Sequence, residues 1–217
     1  MITPTLEQTG KPAPLISDYD AQAFAAQALA DRQSLAAVID HTLLKPEANR
    51  AQVLKLCAEA AQHRFACAMV NPTWVATAHA ALSGTGIPVG VVIGFPLGAS
   101  LTTTKREEAE AMVKAGAREL DIVLNIGLLK SGEIALVEAD IRGVVEIAHN
   151  AGAILKVILE TCLLSLEEKI LASEIACTAG TDFLKTSTGF STNGATAADV
   201  ALLRGVAGTR CGVSVPE

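Results

Sequence analysis

The feature that most narrows the choice of fold for this chain is a rhythm. From Leu35 onward, short apolar runs of strand length alternate with longer, alanine-rich amphipathic segments. Short apolar runs bounded by turn residues suit strands buried on both faces, and the segments between them suit helices that cover those faces. Together they make the βα repeat of a parallel α/β fold. Strands are expected near Val38 to Leu43, Ala66 to Asn71, Val89 to Gly94, Leu120 to Asn125, Ile154 to Glu160, Phe183 to Thr186 and Gly212 to Val215. Helices are expected near Arg50 to His63, Thr73 to Leu82, Thr103 to Ala115, Glu133 to Asn150, Ser165 to Ala179 and Ala197 to Gly205. Asn49 is placed to cap the first of these, Pro72 suits a first helical turn, and Gly116, Gly152 and Gly180 stop helices before the following strands.

A chain of 217 residues is long enough for one sizeable core. Half of the residues are hydrophobic but only 3% are aromatic, so that core is built from Ala, Val, Ile and Leu. A net charge of −6 and a pI near 5.3 argue against a nucleic-acid partner. The five cysteines are an odd, scattered set without a CxxC, which suggests neither a disulfide framework nor a zinc site and fits a reducing compartment. The first residues carry no basic, apolar leader, and no run approaches the roughly 18 to 20 apolar residues of a membrane span. The expectation is a soluble, cytoplasmic protein with no membrane partner. Residues 1–17 read as a flexible arm and residues 18–217 as the barrel domain, with Asp18 to Arg32 forming an extra helix outside the core.

Three charged residues interrupt these apolar runs: Lys185 in TDFLKTSTGF, Lys156 in AILKVILE and Asp121 in ELDIVLN. Burying an ammonium costs several kcal/mol unless it is paired or loses its proton, roughly the penalty of any isolated buried charge. If their strands are neighbours, Lys156 and Lys185 face each other and each depresses the proton affinity of the other. A lysine so placed is a free amine near neutral pH and attacks carbonyl carbon, the first step to a Schiff base. Asp121, one strand earlier, is placed to shuttle protons. Thr186 to Gly189 follow with hydroxyls and backbone N–H groups suited to an oxyanion or a phosphate. The plainer account makes Lys156 an edge residue and Asp121 its salt-bridge partner. Two lysines and a carboxylate in three consecutive strands weigh against it.

Polar residues also gather at one end of the runs: Asp40 and Thr42, Asn71, Asn125, Glu160 and Thr161, and Thr186 to Thr188. In parallel barrels and open parallel sheets the C-terminal strand ends hold the chemistry. The four histidines show no metal-ligand spacing, and the glycines from Gly84 to Gly98 form no dinucleotide fingerprint. Lys105, Arg106, Glu107, Glu108 and Glu110 read as a solvated helix face. Neither a metal nor an organic cofactor is implied.

From about Leu35 to Gly212 the sequence resembles the class I deoxyribose-phosphate aldolases, through IDHTLLKPEA, ACAMVNPTW, GVVIGFPLG, ELDIVLNIGLLKSG, LKVILET and DFLKTSTGF. That resemblance implies a TIM (β/α) barrel that reversibly cleaves 2-deoxyribose 5-phosphate to acetaldehyde and glyceraldehyde 3-phosphate without a cofactor. It implies Lys185 as the Schiff-base nucleophile, Asp121 as the acid/base, and Lys156 as the lysine beside the nucleophile. It also implies Asp40 and Thr42 at the substrate hydroxyls, Thr188 and Gly189 near the phosphate, and pairing into a homodimer. The family pattern continues with a second site lysine and a last βα unit, whereas this sequence has Ser214 and ends in CGVSVPE. The expectation is therefore a C-terminally truncated barrel of about seven of eight strands, with two unpaired edges. Two rival functions follow, a non-catalytic barrel remnant and a Schiff-base lyase acting on unphosphorylated aldehydes.

Overall fold

A computed structural model describes residues 21–216, so the expected arm over residues 1–17 lies outside the described residues. Two short helices come first, α1 (Ala21–Ala28) and α2 (Arg32–Ala36). The βα repeat then runs β1 (Asp40–Leu43), α3 (Arg50–His63), β2 (Cys67–Val70), α4 (Val75–Ala81), β3 (Val89–Ile93), α5 (Thr102–Ala115) and β4 (Glu119–Val123). After β4 come α6 (Ile126–Lys130), α7 (Ile134–Asn150), β5 (Ile154–Ile158), α8 (Leu166–Ala179), β6 (Phe183–Lys185), α9 (Ala197–Ala207) and β7 (Gly212–Ser214). All seven expected strands form, and they lie in one parallel sheet in chain order from β1 to β7.

The punctuation read from the sequence acts as expected at several ends. Asn49 caps α3 through a full capping box with Gln52. Gly116 and Gly180 end α5 and α8 in the left-handed conformation, at φ 112° and 95°, where a side chain would be strained. The expected helix over Thr73 to Leu82 divides, because Pro72 opens a 3₁₀ turn (Pro72–Trp74) before α4 begins.

Side chains alternate across each strand, and the alternation separates two environments. One face of the sheet meets the helices, where Leu120, Ile122, Leu155, Val157 and Leu184 join Ile141, Val144, Ala172 and Leu203 in the main core. The other face holds a small cluster of Cys67, Met69 and Val92 with Leu44 and Phe95 packed on it. The same face carries Asp40, Glu119, Asp121, Lys156 and Lys185, which pair with one another. Four strand spacings along a flat sheet separate β1 from β5 by about 19 Å. Yet Lys156 of β5 reaches the Asp40 carboxylate of β1, so the sheet curls round into an incomplete barrel with β1 and β7 as its edges.

The helical layer corrects one expectation. Lys105 is not on a solvated face: it is fully buried, and its Nζ donates to Asp140 Oδ2 at 2.5 Å and to the Val123 carbonyl at 2.9 Å. Glu108 turns inward as well and accepts the Gly94 N–H at 2.8 Å. The cause is tertiary, since α7 packs over α5 and supplies the carboxylate that makes a buried ammonium tolerable. Burial pushes the Lys105 pKa below its usual value, and Asp140 opposes that shift.

Asp140→Ala is expected to destabilise the chain by about 3–5 kcal/mol, the cost of removing one member of a buried pair. The double variant Lys105→Met with Asp140→Leu is expected to recover most of that loss. Urea unfolding midpoints of both variants check it.

Candidate active site

The interior face of the sheet gathers its charges in two groups. Register sets their heights: Asp121 lies beside Lys156 across β4 and β5, and Lys185 lies beside Ile158 and Ser214 across β5, β6 and β7. Lys185 therefore stands one inward-facing position nearer the C-terminal strand ends than Lys156.

The upper group is Lys185 and Asp121. Lys185 Nζ donates to Asp121 Oδ2 at 2.6 Å, and the two side chains are only 8% and 0% exposed. The other carboxylate oxygen, Asp121 Oδ1, is buried and has no hydrogen-bond partner among the described residues. The hydroxyls of Thr186 and Ser187, just beyond Lys185, share that condition. Buried polar atoms without partners are uncommon because each costs about 1–3 kcal/mol. Three of them beside one lysine mark a place built to meet something polar.

The lower group is Lys156 with Asp40 and Glu119. Lys156 Nζ lies 2.5 Å from Glu119 Oε1, bonds Asp40 Oδ2, and sits 5.3 Å from the centre of the Phe183 ring. Here the structure overturns an expectation. Lys156 does not lose proton affinity to a facing lysine, because it is surrounded by acids. Burial works against its charge, but Asp121, Glu119 and Asp40 together outweigh burial and raise its pKa above the usual lysine value. Lys156 is held as a cation. Glu119, which sequence reasoning missed, is pushed up to about 7 by burial and by Asp121 and Asp40, against the pull of Lys156. The Cys67 thiol lies within 4.8 Å of ligand atoms on Asp40 and Glu119. That trio has the makings of a cation site, but the Lys156 ammonium already bridges its two carboxylates. Burial, with Glu119 and Asp40, drives the Cys67 thiol well above its usual pKa, so it is no thiolate.

Two cavities meet at Lys185. The first opens at the C-terminal strand ends, has a volume of about 420 Å³, and is lined by Thr42, Lys45, Lys185, Ser187, Thr188 and Gly189 among others. The second, of about 660 Å³, lies towards the N-terminal ends of the strands, where Ala66, Pro88, Glu119 and Ile154 line it. It is lined by apolar side chains such as Phe24, Phe183 and Val213, and by Asp40, Lys156 and Ser214. Thr42 and Lys185 line both.

The remaining expected site residues fall as follows. Asp40 faces the interior but is taken up by Lys156, and the Thr42 hydroxyl donates to the Asp40 carbonyl at 2.6 Å. Gly189 has a φ of 80° and lines the first cavity. Thr188 lines it too, but its hydroxyl and its N–H both point at the Glu160 carboxylate, the N–H at 3.3 and 3.4 Å. Glu160 is buried and holds a left-handed backbone at φ 56°, which strains a residue with a side chain. Phe190 closes the rim, its ring edge-on to Phe95 at 5.2 Å. Lys45, the other cation at the mouth, was not singled out from the sequence, where it lies between Leu44 and Pro46 and reads as an ordinary turn residue.

Comparison with known proteins agrees with this architecture. Residues 34–214 match the DeoC/LacD family aldolase. A deoxyribose-phosphate aldolase of Geobacillus sp. (strain WCH70) is 54% identical over 180 residues, covering 83% of this chain and 80% of the relative. The crystal structure of a putative deoxyribose-phosphate aldolase from Coccidioides immitis superposes with a TM-score of 0.82 at 34% identity, over 92% of this chain and 86% of that one. A deoxyribose phosphate aldolase from Aeropyrum pernix, described as tetrameric, gives a TM-score of 0.80 at 34% identity, over 90% and 83% of the two chains.

The lower group has a measurable signature. Glu119 holds its proton more tightly when folded, at about 7, than at its ordinary value of 4.5. Its protonation therefore contributes stability that is fully present below pH 4.5 and is lost as pH rises towards and through 7. Glu119→Gln, which cannot titrate, is expected to flatten the fall in the unfolding midpoint across that window. An unchanged slope would show that Glu119 does not carry it.

Proposed function

Because the chain belongs to the DeoC/LacD family of aldolases, we propose that it is a class I lyase that cleaves 2-deoxyribose 5-phosphate through an imine on Lys185. The observation that carries this reading is the Lys185–Asp121 contact at 2.6 Å. It places a buried amine and a buried base within one proton transfer of each other, at the floor of a cavity that opens where the strands end.

In this reading Asp121 takes the proton from the Lys185 ammonium, and the free amine adds to the C1 aldehyde of the open-chain sugar. Loss of water, with its oxygen protonated from Asp121, leaves an iminium. Asp121, a carboxylate again after that step, accepts the C3 hydroxyl proton as the C2–C3 bond breaks. The electron pair moves into the iminium to give an enamine and release glyceraldehyde 3-phosphate. Protonation at C2 and addition of water free acetaldehyde and restore Lys185. Lys156, a cation one position lower, balances the carboxylate of Asp121. Its own hold on Asp40 and Glu119 keeps it from acting as a competing nucleophile.

The phosphate end of the substrate belongs at the mouth. Lys45, Ser187 and Gly189 line that cavity, and a cation with hydrogen-bond donors suits a phosphate. Thr188 supports this loop through Glu160 rather than donating to the anion. Asp40 and Thr42 are read as the floor beneath the sugar hydroxyls.

The absence of a helix long and apolar enough to cross a membrane among the described residues and the five free cysteines are in keeping with a cytoplasmic enzyme. A homodimer is the assembly proposed here, and light scattering of the purified chain measures it.

Borohydride reduction in the presence of acetaldehyde tests the nucleophile. The chain is expected to gain one ethyl group at Lys185 and at no other lysine, and Lys185→Met to gain none. A chain that folds but takes up no label would be the remnant, not the enzyme. Asp121→Asn is expected to lower kcat by roughly 10²–10⁴-fold, the usual worth of a positioned proton-transfer group. An assay with 2-deoxyribose 5-phosphate checks it.

A further inference from the structure

Away from the charged interior, two thiols lie within 3.4 Å of each other. Cys177 is in the last turns of α8, and Cys211 directly precedes β7; their Sγ atoms are 3.4 Å apart and both residues are half-buried. The other three cysteines differ from this pair. Cys57 and Cys67 are buried, while Cys162 makes its polar contacts with Glu160, Ser191 and Thr192.

The surroundings hold the two sulfurs in register. Arg210, next to Cys211, makes a two-pronged pair with Glu174 of α8 at 2.8 and 3.0 Å. Arg204 of α9 donates to the Cys211 carbonyl at 2.7 Å. The turn before β7 is thus fastened to α8 by one ion pair and to α9 by several hydrogen bonds, and the thiols meet between them. Among the described residues the only strand beside β7 is β6, so this turn bears on how firmly the edge of the sheet is held.

We propose that Cys177 and Cys211 form a reversible disulfide, made by exchange with a low-molecular-weight disulfide such as oxidised glutathione, which clasps β7 to α8. The step balances as follows. The Cys177 thiolate attacks one sulfur of glutathione disulfide, forming a mixed disulfide and releasing one glutathione thiolate. The Cys211 thiolate then attacks the Cys177 sulfur and displaces the second glutathione. Two protein thiols are oxidised, one disulfide is reduced to two thiols, and the two protons lost by the cysteines end on the released glutathiones. Cys177 goes first because the hydrogen bond from Cys211, with Arg210 and Arg204 nearby, lowers its pKa against the opposing effect of burial. The link closes a loop across a separation of 34 residues that contains Lys185. It involves no residue of the proposed active site, so it stands or falls apart from the imine reading.

The test is to equilibrate the full chain in glutathione buffers of graded oxidation, quench with acid, alkylate the free thiols and map peptides by mass spectrometry. The expected result is a peptide joining Cys177 to Cys211 at ratios where Cys57, Cys67 and Cys162 are still alkylated. Cys211→Ser is expected to accumulate a single glutathione on Cys177, and Cys177→Ser to leave Cys211 largely unmodified. The oxidised chain is expected to melt roughly 5–10 °C higher than the reduced one, the scale of a loop-closing disulfide in a domain of this size. Mapping the unaltered chain needs no variant. Separate glutathione adducts without a joined peptide, a joined peptide containing Cys162, or an unchanged melting midpoint would each overturn the proposal.

Discussion

The barrel interior depends on one ammonium. Lys156 lies on the fifth strand, yet its charge is met by Asp40 on the first and Glu119 on the fourth. No hydrogen-bond ladder joins the first strand to the fifth, so this ion pair is what spans the hollow side of the curled sheet. Two carboxylates facing one another there would repel, and each would be costly without water. The cation makes both bearable. A small apolar cluster of Cys67, Met69 and Val92, with Leu44 and Phe95 packed on it, shares the same face of the sheet.

That arrangement separates stability from chemistry by height. The main hydrophobic core lies on the other side of the sheet, under the helices, and is supported by a second buried pair, Lys105 with Asp140. Because Lys105 also bonds the Val123 carbonyl, that pair fixes the end of the strand that bears Asp121. Helix packing and the position of the proposed base are therefore coupled through one side chain. Lys156 is charge-locked on the lower level, and Lys185, one position higher, shares a single carboxylate whose other oxygen has no partner. Below, one ammonium is shared by two carboxylates; above, it meets a single one.

The order of strands and helices was legible because it rests on local signals. The apolar run of each strand, the Asn49 cap and the glycines after α5 and α8 all act within a few residues of themselves. The three charges Lys156, Lys185 and Asp121 stood out because nothing apolar tolerates them unpaired. What could not be read was who pairs with whom. Asp40 and Lys156 are 116 positions apart, and only the closure of the sheet joins them. Glu119 falls just before the expected strand Leu120 to Asn125, and Lys105 reads as one charge in a polar helix, because i, i+3 and i, i+4 patterns do not reveal a second helix lying on top. The engagement of Thr188 by Glu160 was equally hidden, since it depends on a left-handed backbone at a residue that ordinarily avoids it.

The meeting of two cavities at Lys185 has a consequence for traffic. Thr42 and Lys185 border both the mouth and the second cavity, so the amine is reached by two doors. A sugar phosphate seated in the mouth would stopper only one of them. A small, weakly polar fragment left on the nitrogen would still have a way out past Phe183 and Val213, without waiting for its charged sibling to leave.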